Sequence, residues 1–236
     1  MAEKKEKHKE EKKEEKIGEK MEGKKEELEI KISKEAWIVI GIIAVTIIAI
    51  AAIVYVSKGA GKFEYNGIQF QKEYTGQILF YAAKVPVFDS YGRQVGINSI
   101  DFRNDPRKLE DIPVETQGDI SFIRDKTVYV TYSDLEQCSY NGVAAINLGR
   151  FLGNAGLSIR GAVMNESGNS SNIPYATCSL FPENTVIEVK NGDRTEIRQT
   201  SENCYEIVSK ECEILEATEK FQLVVLEQYM ADISKL

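Results

Sequence analysis

The side chains best suited to chemistry in this chain are its four cysteines, Cys138, Cys178, Cys204 and Cys212. None of them form a C-x-x-C pair, so the sequence indicates neither a thioredoxin-type redox centre nor a zinc ribbon. We predict two disulfides, Cys178 with Cys204 and Cys138 with Cys212. A four-thiolate metal site is the alternative.

The first pairing depends on a predicted β-hairpin over Thr185 to Thr200, whose turn contains Asn191-Gly192. If its strands pair outward from Gly192, Cys178 and Cys204 come almost opposite each other. Closing such a loop stabilises a small domain by roughly 2 to 4 kcal/mol. The second pairing then joins the two remaining cysteines.

Histidine is nearly absent from the chain, since the only one is His8, close to the N-terminus. The region that holds the cysteines therefore has no Ser-His-Asp triad, no Cys-His nucleophile and no histidine-containing zinc site. We predict no catalytic residue of these kinds, no metal ligand and no cofactor.

Charged residues offer a weaker set of candidates. Arg103, Asp105 and Arg107 crowd three charges beside a proline, as in an anion-binding or catalytic loop, or as in a surface turn that Asp105 caps. Asp134 and Glu136 follow a predicted strand, at the end where ligands bind to α/β sheets. These five are the candidate binding residues, and the three acids among them could serve as general acid or base in a carboxylate enzyme.

A long apolar segment organises the rest of the chain. Ala36 to Val56 contains no charged side chain and, as a helix, would extend about 31 Å, close to the thickness of a bilayer core. Trp37 and Tyr55 lie near its ends, where aromatic rings favour the headgroup layer. The run is too long for a cleaved signal peptide and lacks the polar stripe of a soluble helix. We predict a single transmembrane helix that acts as an uncleaved signal anchor.

The orientation follows from the lysines that flank this segment, because cytoplasmic flanks carry the excess of positive charge. The cysteines and the sequons at Asn165 and Asn169 lie on the C-terminal side, which favours an extracytoplasmic C-terminal region. The flanking lysines are Lys16, Lys20, Lys24, Lys25, Lys31 and Lys34 before the segment, and Lys58, Lys62 and Lys72 after it.

Residues 1–35 form a tail in which lysine and glutamate balance, so the net charge of −7 belongs to the rest of the chain. We predict a solvated cytoplasmic arm with no apolar face to bury. An acidic outer domain has no electrostatic attraction for nucleic acid. The expected partners are therefore the membrane and a surface or envelope protein.

After a linker at residues 57–62, residues 63–236 suit one mixed α/β domain. Asn66-Gly67 between alternating apolar residues predicts a hairpin, and a helix over Gly142 to Asn154 between two strands predicts a βαβ unit, with Gly156 ending the helix. A last helix covers Glu213 to Met230. Further strands are predicted over Gln77–Lys84, Val95–Phe102, Asp119–Ile123, Lys126–Tyr132 and Leu157–Met164.

The whole arrangement resembles small membrane-anchored proteins predicted from archaeal genomes. The resemblance is carried by the charged tail, the single span and the segments RNDPR, LGRFLGNAGL, TVIEV and NCYEI. Those proteins have no assigned function, so the resemblance implies a lineage and no catalytic residue.

The functional expectation is a membrane-tethered, non-enzymatic domain that binds a partner or supports an envelope assembly. A surface enzyme that uses carboxylates is the alternative, followed by a tethered redox or metal-binding protein. Buried carboxylates with raised pKa values at the sheet edge would favour the enzyme, whereas ion-paired acids would favour binding.

Overall fold

The computed structural model describes residues 34–59, 61–89, 91–133, 138–164 and 173–235. The chain divides into two compact units, Met1–Ser57 and Lys58–Leu236. His8, most of the charged tail, the two sequons, Asp134 and Glu136 lie outside the described residues.

The first unit contains all but the last two residues of helix α1, Lys34–Gly59. Its large apolar side chains from Trp37 to Ile50 are exposed, and the Thr46 hydroxyl donates to the Ile42 carbonyl at 2.8 Å within the same helix. Among the residues whose side chains are described, no helix is long and apolar enough to cross a membrane.

The second unit begins with a four-stranded antiparallel meander in the order β1-β2-β3-β4. Asn66 and Gly67 both have positive φ, which a two-residue type I′ turn requires, and Tyr65 pairs with Ile68 across it. The predicted Asn66-Gly67 hairpin is thus confirmed. The strands are β1 (Lys62–Tyr65), β2 (Ile68–Thr75), β3 (Ile78–Phe88) and β4 (Gln94–Phe102).

A second sheet of six strands follows, in the order β5-β9-β10-β8-β6-β7. Helix α2, Asn141–Asn154, connects β6 to β7, which pair in parallel, so the predicted βαβ unit is confirmed. Gly156, with φ of +80°, ends α2 as expected. The strands are β5 (Val114–Glu115), β6 (Thr127–Tyr132), β7 (Ser158–Val163), β8 (Val186–Asn191), β9 (Glu196–Ser201) and β10 (Cys204–Ser209).

The predicted hairpin over Thr185 to Thr200 is wrong. Strands β8 and β9 do not pair, because β10 lies between them, parallel to β8 and antiparallel to β9. The true hairpin is β9–β10, and its short connection at Glu202-Asn203 contains no Asn-Gly. After Gly192 the chain passes the position of β10 and enters the sheet as β9, two positions away from β8.

The strand predicted over Asp119 to Ile123 is also wrong. This segment is irregular, and side chains rather than a neighbouring strand accept its backbone hydrogen bonds. Ile120 donates to Gln228 at 3.0 Å, Ser121 to the Tyr205 hydroxyl at 2.9 Å and Ile123 to Thr185 at 3.0 Å. Three backbone N–H groups of the segment therefore find acceptors without a ladder of strand hydrogen bonds.

Helix α3, Ile214–Ile233, lies in the core of the domain. From Ile214 to Leu223 every side chain except that of Glu216 is buried, which indicates neighbours on all sides rather than on one face. Phe221 contacts the ring of Tyr205 on β10 at 6.1 Å, and the Tyr229 hydroxyl donates to Pro86 on β3 at 2.9 Å. The helix therefore packs against both sheets, and one contiguous apolar cluster joins them.

Both predicted disulfides are present, with Cα–Cα distances of 5.5 Å for Cys138–Cys212 and 5.6 Å for Cys178–Cys204. The first joins the segments that precede α2 and α3. The second fastens the loop before β8 to the first residue of β10. All four sulfur atoms are thus bonded in pairs, which leaves no thiolate for the four-thiolate metal site.

Candidate functional site

The loop that contains Arg103, Asp105 and Arg107 follows β4 and leads into a short 3₁₀ helix, Pro106–Leu109. Asp105 caps this helix and accepts from Arg107 at the backbone (3.2 Å), at Nε (2.8 Å) and at the guanidinium terminus (2.5 Å). The hydrogen bond from Arg107 holds the pKa of Asp105 below its usual range. Asp105 is therefore an ionised cap, and a general acid would need the opposite pKa shift.

The two arginines of this loop lie against aromatic rings. The Arg107 guanidinium is 4.4 Å from the ring centre of Phe63, and that of Arg103 is 5.2 Å from the ring centre of Phe80. Both distances are within the range of cation–π contacts. The loop thus uses its charges for local packing and capping.

A buried glutamate that sequence reasoning missed supports the same loop. Glu219 on α3 is fully buried and accepts from the Arg103 backbone at 2.6 Å, and from the Asn104 backbone and side chain at 2.9 Å each. Burial raises the pKa of Glu219 to about 7, against these hydrogen bonds, which favour the charged form. Glu219 lines neither of the two cavities described below.

A second group of charged side chains crosses the six-stranded sheet. Because side chains alternate along a strand, Glu206 lies on the face opposite Tyr205 and Ile207, which are in the core. Its neighbour Lys190 lies 2.5 Å away, and Arg198 bonds its other oxygen. The alternating chain of ion pairs continues to the sheet edge through Lys190, Glu206, Arg198, Glu196, Arg194 and Glu115.

The only cluster of metal-binding residue types found in the described part of the chain is Cys178, Glu188 and Cys204. The two cysteines are bonded to each other, and Glu188 accepts from the Cys178 backbone at 3.1 Å. A disulfide offers no thiolate, so one carboxylate remains and the cluster does not make a metal site.

Within the described residues, a groove lies between β3 and β4 on one side and α2 and α3 on the other. It consists of two adjoining cavities that share Ile100, Phe151 and Asn154. We call the two parts the polar cavity and the apolar cavity. Their linings differ sharply in chemistry.

The polar cavity has a volume of about 170 Å³. Gln222 is 1 % exposed, and its Nε2 has no hydrogen-bond partner in the described part of the protein. Ser99 donates weakly to Asp101 at 3.4 Å. The residues that line only this cavity are Phe80, Ser99, Asp101, Asn147, Arg150 and Gln222.

The apolar cavity has a volume of about 300 Å³ and no charged side chain in its lining. The hydroxyl of Tyr229, its most polar group besides the shared Asn154, already donates to Pro86. The residues that line only this cavity are Val85, Pro86, Val87, Ala155, Val225, Leu226 and Tyr229.

The sequence carried a signal for the buried polar residues of α3, of which Gln222 lines the polar cavity and Glu219 does not. Leu215, Glu219, Gln222 and Leu226 recur at i, i+4, i+7 and i+11, so they share one helix face. Two uncharacteristically polar residues on an otherwise apolar stripe indicate buried polar contacts. Strands β3 and β4, which form the other wall of the groove, gave no comparable signal in the sequence.

Comparisons with known proteins add no identification. No protein-family model, no curated protein and no solved structure matches the chain. The resemblance to archaeal membrane-anchored proteins stays a prediction, and the functional argument has to be made from the groove itself.

Proposed function

We propose that this chain is a membrane-anchored, non-enzymatic binding protein whose C-terminal domain faces the extracytoplasmic side and binds its ligand in the groove. The observation that carries the proposal is the groove, which joins an apolar cavity to a polar one that is lined by amide and charged side chains. Concave sites with a largely apolar lining and a few polar groups are typical of ligand binding.

The membrane anchor in this proposal is the apolar run Ala36 to Val56. Its support is the length of the run, the helical conformation of Lys34–Gly59 and the exposure of its described apolar side chains. The extracytoplasmic location is supported by the excess of lysine before the run and by two disulfides after it, because disulfides persist in oxidising compartments.

A binding role is favoured over a carboxylate enzyme by the state of the described acids. Asp105 and Glu206 both have lowered pKa values because each is hydrogen-bonded to a cation. Glu219 has a raised pKa but is sealed within the core, away from the groove. None of these three acids thus combines a raised pKa with access to a ligand.

The binding function is tested by filling the apolar cavity. Val87→Trp puts a large side chain into the cavity lining at a partly exposed strand position, whereas Val95→Trp makes the same change on β4 outside the groove. Small molecules that co-purify with the full-length chain in nanodiscs are measured by native mass spectrometry. We expect Val87→Trp to reduce the bound fraction at least tenfold and Val95→Trp to leave it unchanged.

An empty wild-type groove, or equal occupancy in both variants, would contradict the binding function. Protease added to the outside of intact cells tests the topology separately. The C-terminal domain should be degraded or released there, while protection of this domain would overturn the proposed orientation.

A further inference from the structure

We propose that the tip of the β2–β3 hairpin, Tyr74 to Leu79, lies in the headgroup layer of the membrane that anchors the chain. This inference rests on the membrane anchor of the proposed function. It adds a second lipid contact, which would hold the C-terminal domain at a defined height above the bilayer. The partner is the bilayer itself, so the contact needs no other protein.

The first argument concerns the place where the chain enters the domain. Lys72 on β2 donates its backbone N–H to the Gly61 carbonyl at 2.7 Å, which extends the antiparallel β1–β2 ladder back to Gly61. Four residues separate Gly61 from Val56, the end of the apolar run, so the chain between these two residues spans at most about 18 Å. The first strand of the domain therefore begins within that distance of the end of the anchor.

The second argument concerns direction. Strand β2 is antiparallel to β1, so the β2–β3 turn lies on the side from which the chain reaches Gly61. The turn at Gly76-Gln77 begins four residues beyond Lys72, which corresponds to about 13 Å of strand. The hairpin therefore extends back toward the anchor by a length comparable to the longest reach of the tether.

The third argument concerns the side chains of the tip. Tyr74 is 71 % exposed and Ile78 is 42 % exposed, and neither they nor Leu79 belong to the apolar cluster of the core. Tyr74 pairs with Leu79 across the hairpin, and Ile78 points to the other face, so apolar groups occupy both sides of the tip. Exposed apolar groups that lie together mark interaction surfaces, and tyrosine is enriched at membrane interfaces.

Charge distinguishes this tip from the other end of the same sheet. No charged residue occurs from Tyr74 to Ala83, and the next charges on the two strands, Glu73 and Lys84, pair at 2.8 Å. The β3–β4 turn instead carries the ion pair of Asp89 and Arg93, and it lies about 33 Å away along β3. An uncharged tip enters the headgroup layer without desolvating a charge, so the contact should not require anionic lipid.

The test places a fluorescent probe at each end of the sheet in the full-length chain, reconstituted in phosphatidylcholine vesicles. An NBD group on Gln77→Cys reports the tip, and the same group on Gln94→Cys, an exposed glutamine near the β3–β4 turn, is the matched control. The four natural cysteines are bonded in pairs and do not take the label. Lipid with a nitroxide on its headgroup should quench the Gln77→Cys probe at least threefold more than the control, also at high salt.

Two pairs of substitutions test the side chains. In the labelled Gln77→Cys chain, Tyr74→Ser with Ile78→Ser should reduce the quenching to the level of the control probe, because the apolar groups of the tip are gone. Tyr91→Ser with Ile97→Ser removes a similar pair from the β3–β4 end and should leave the quenching unchanged. Both variants should keep the urea midpoint of wild type, because none of the four residues belong to the core cluster.

The outcomes separate this inference from the proposed function. If the vesicles retain the chain through an alkaline carbonate wash but quench both probes equally, the anchor is right and the assignment of the tip is wrong. A blue shift of the Gln77→Cys probe without nitroxide quenching would mean that the tip contacts protein, which would also overturn the assignment. If the wash releases the chain, the anchor of the proposed function fails, and this inference fails with it.

Discussion

Two buried glutamates, Glu206 and Glu219, lie in the same domain and have opposite pKa shifts. Glu206 is 7 % exposed and Glu219 fully buried, so burial works to raise the pKa of both. Glu206 bonds two cations, Lys190 and Arg198, and its pKa falls below the usual range. Glu219 bonds only neutral N–H groups, and its pKa rises to about 7.

The difference teaches that neutral hydrogen bonds do not replace a counter-ion in the core of this domain. Three N–H donors hold the Glu219 side chain in place but do not offset the cost of burying its charge. For Glu206, which lies on the face of the six-stranded sheet opposite the core, the cations Lys190 and Arg198 together offset this cost. The two residues should therefore respond differently to mutation and to pH.

The largest expected effect is the pH dependence that Glu219 confers. Its pKa is 4.5 ordinarily and about 7 in the folded chain, so the stability it contributes is fully present below pH 4.5 and is lost as pH rises through 7. The loss is on the order of 3 kcal/mol. Glu219→Gln should remove this pH dependence. The free energy of unfolding of the variant relative to that of wild type, measured by urea titration, should therefore increase between pH 4.5 and 8.

A difference between variant and wild type that does not change over this pH range would show that Glu219 is ionised throughout. Near-ultraviolet circular dichroism of the full-length chain is a suitable probe, since it reports the packing of the aromatic side chains. Gln222→Met serves as a control on the same face of α3, because its side chain does not titrate.

The next effect is the loss of the paired carboxylate. Glu206→Leu leaves Lys190 and Arg198 without their shared acceptor, and we expect the free energy of unfolding at pH 7 to fall by about 2 kcal/mol. Breaking a fully buried pair costs about 3 to 5 kcal/mol. The value is lower here because the side chains of Lys190 and Arg198 are 26 % and 42 % exposed, so water solvates them partly. A urea titration with no change in midpoint would contradict the argument.

Removing one of the two cations should have a smaller effect. Lys190→Met leaves Glu206 bonded to Arg198, and we expect a loss of about 1 kcal/mol at pH 7. The pKa of Glu206 should also move up toward its ordinary value. The contribution of Glu206 is present above pH 4.5 and is lost as pH falls through its folded pKa, so in the variant the loss should be smaller and should be complete at a higher pH than in wild type. An acid titration of both proteins measures the displacement.

The smallest effect belongs to the exposed end of the same ion-pair chain. Glu115 contacts Arg194 at 2.9 Å, but both side chains are 59 % exposed. Glu115→Gln should change the free energy of unfolding by less than about 0.5 kcal/mol, as is usual for surface pairs. A loss as large as that of Glu206→Leu would mean that the network acts as one unit, which a double-mutant cycle would reveal.

Local sequence signals predicted much of this fold because the contacts concerned are short-range. Asn66-Gly67 determined a hairpin whose turn and register are both local, and the period change at Gly142 to Asn154 identified α2. Asn191-Gly192 has the same dipeptide but no hairpin, because β10 offers β8 a parallel partner and β9 an antiparallel one. Competition between distant strands is not visible in a local pattern.

The Cys178–Cys204 pair was predicted from that incorrect hairpin, yet it is present. Cys204 is the first residue of β10 and pairs in register with Val186 on β8, shortly after the loop that contains Cys178. Parallel pairing of β8 and β10 thus brings the two cysteines together by another route. A correct contact is therefore weak evidence for the topology used to predict it.

The candidate site was the least predictable part. Its walls come from β3, β4, α2 and α3, which are distant in sequence and meet only when the two sheets close around α3. The residues singled out for charge, such as Asp105 and Arg107, pair with each other instead. Sequence patterns report neighbours along an element, whereas a groove depends on which elements face each other.

The Cys138–Cys212 bond has a mechanical consequence for the groove. It ties together the starts of α2 and α3, and the groove lies about three turns further along both helices, at Phe151 and Asn154 on one and Val225 on the other. The two helices therefore run side by side in the same direction from a common fixed point. The bond thus fixes the distance between the two helix starts, whereas the distance between their groove-lining parts depends on the packing of side chains there.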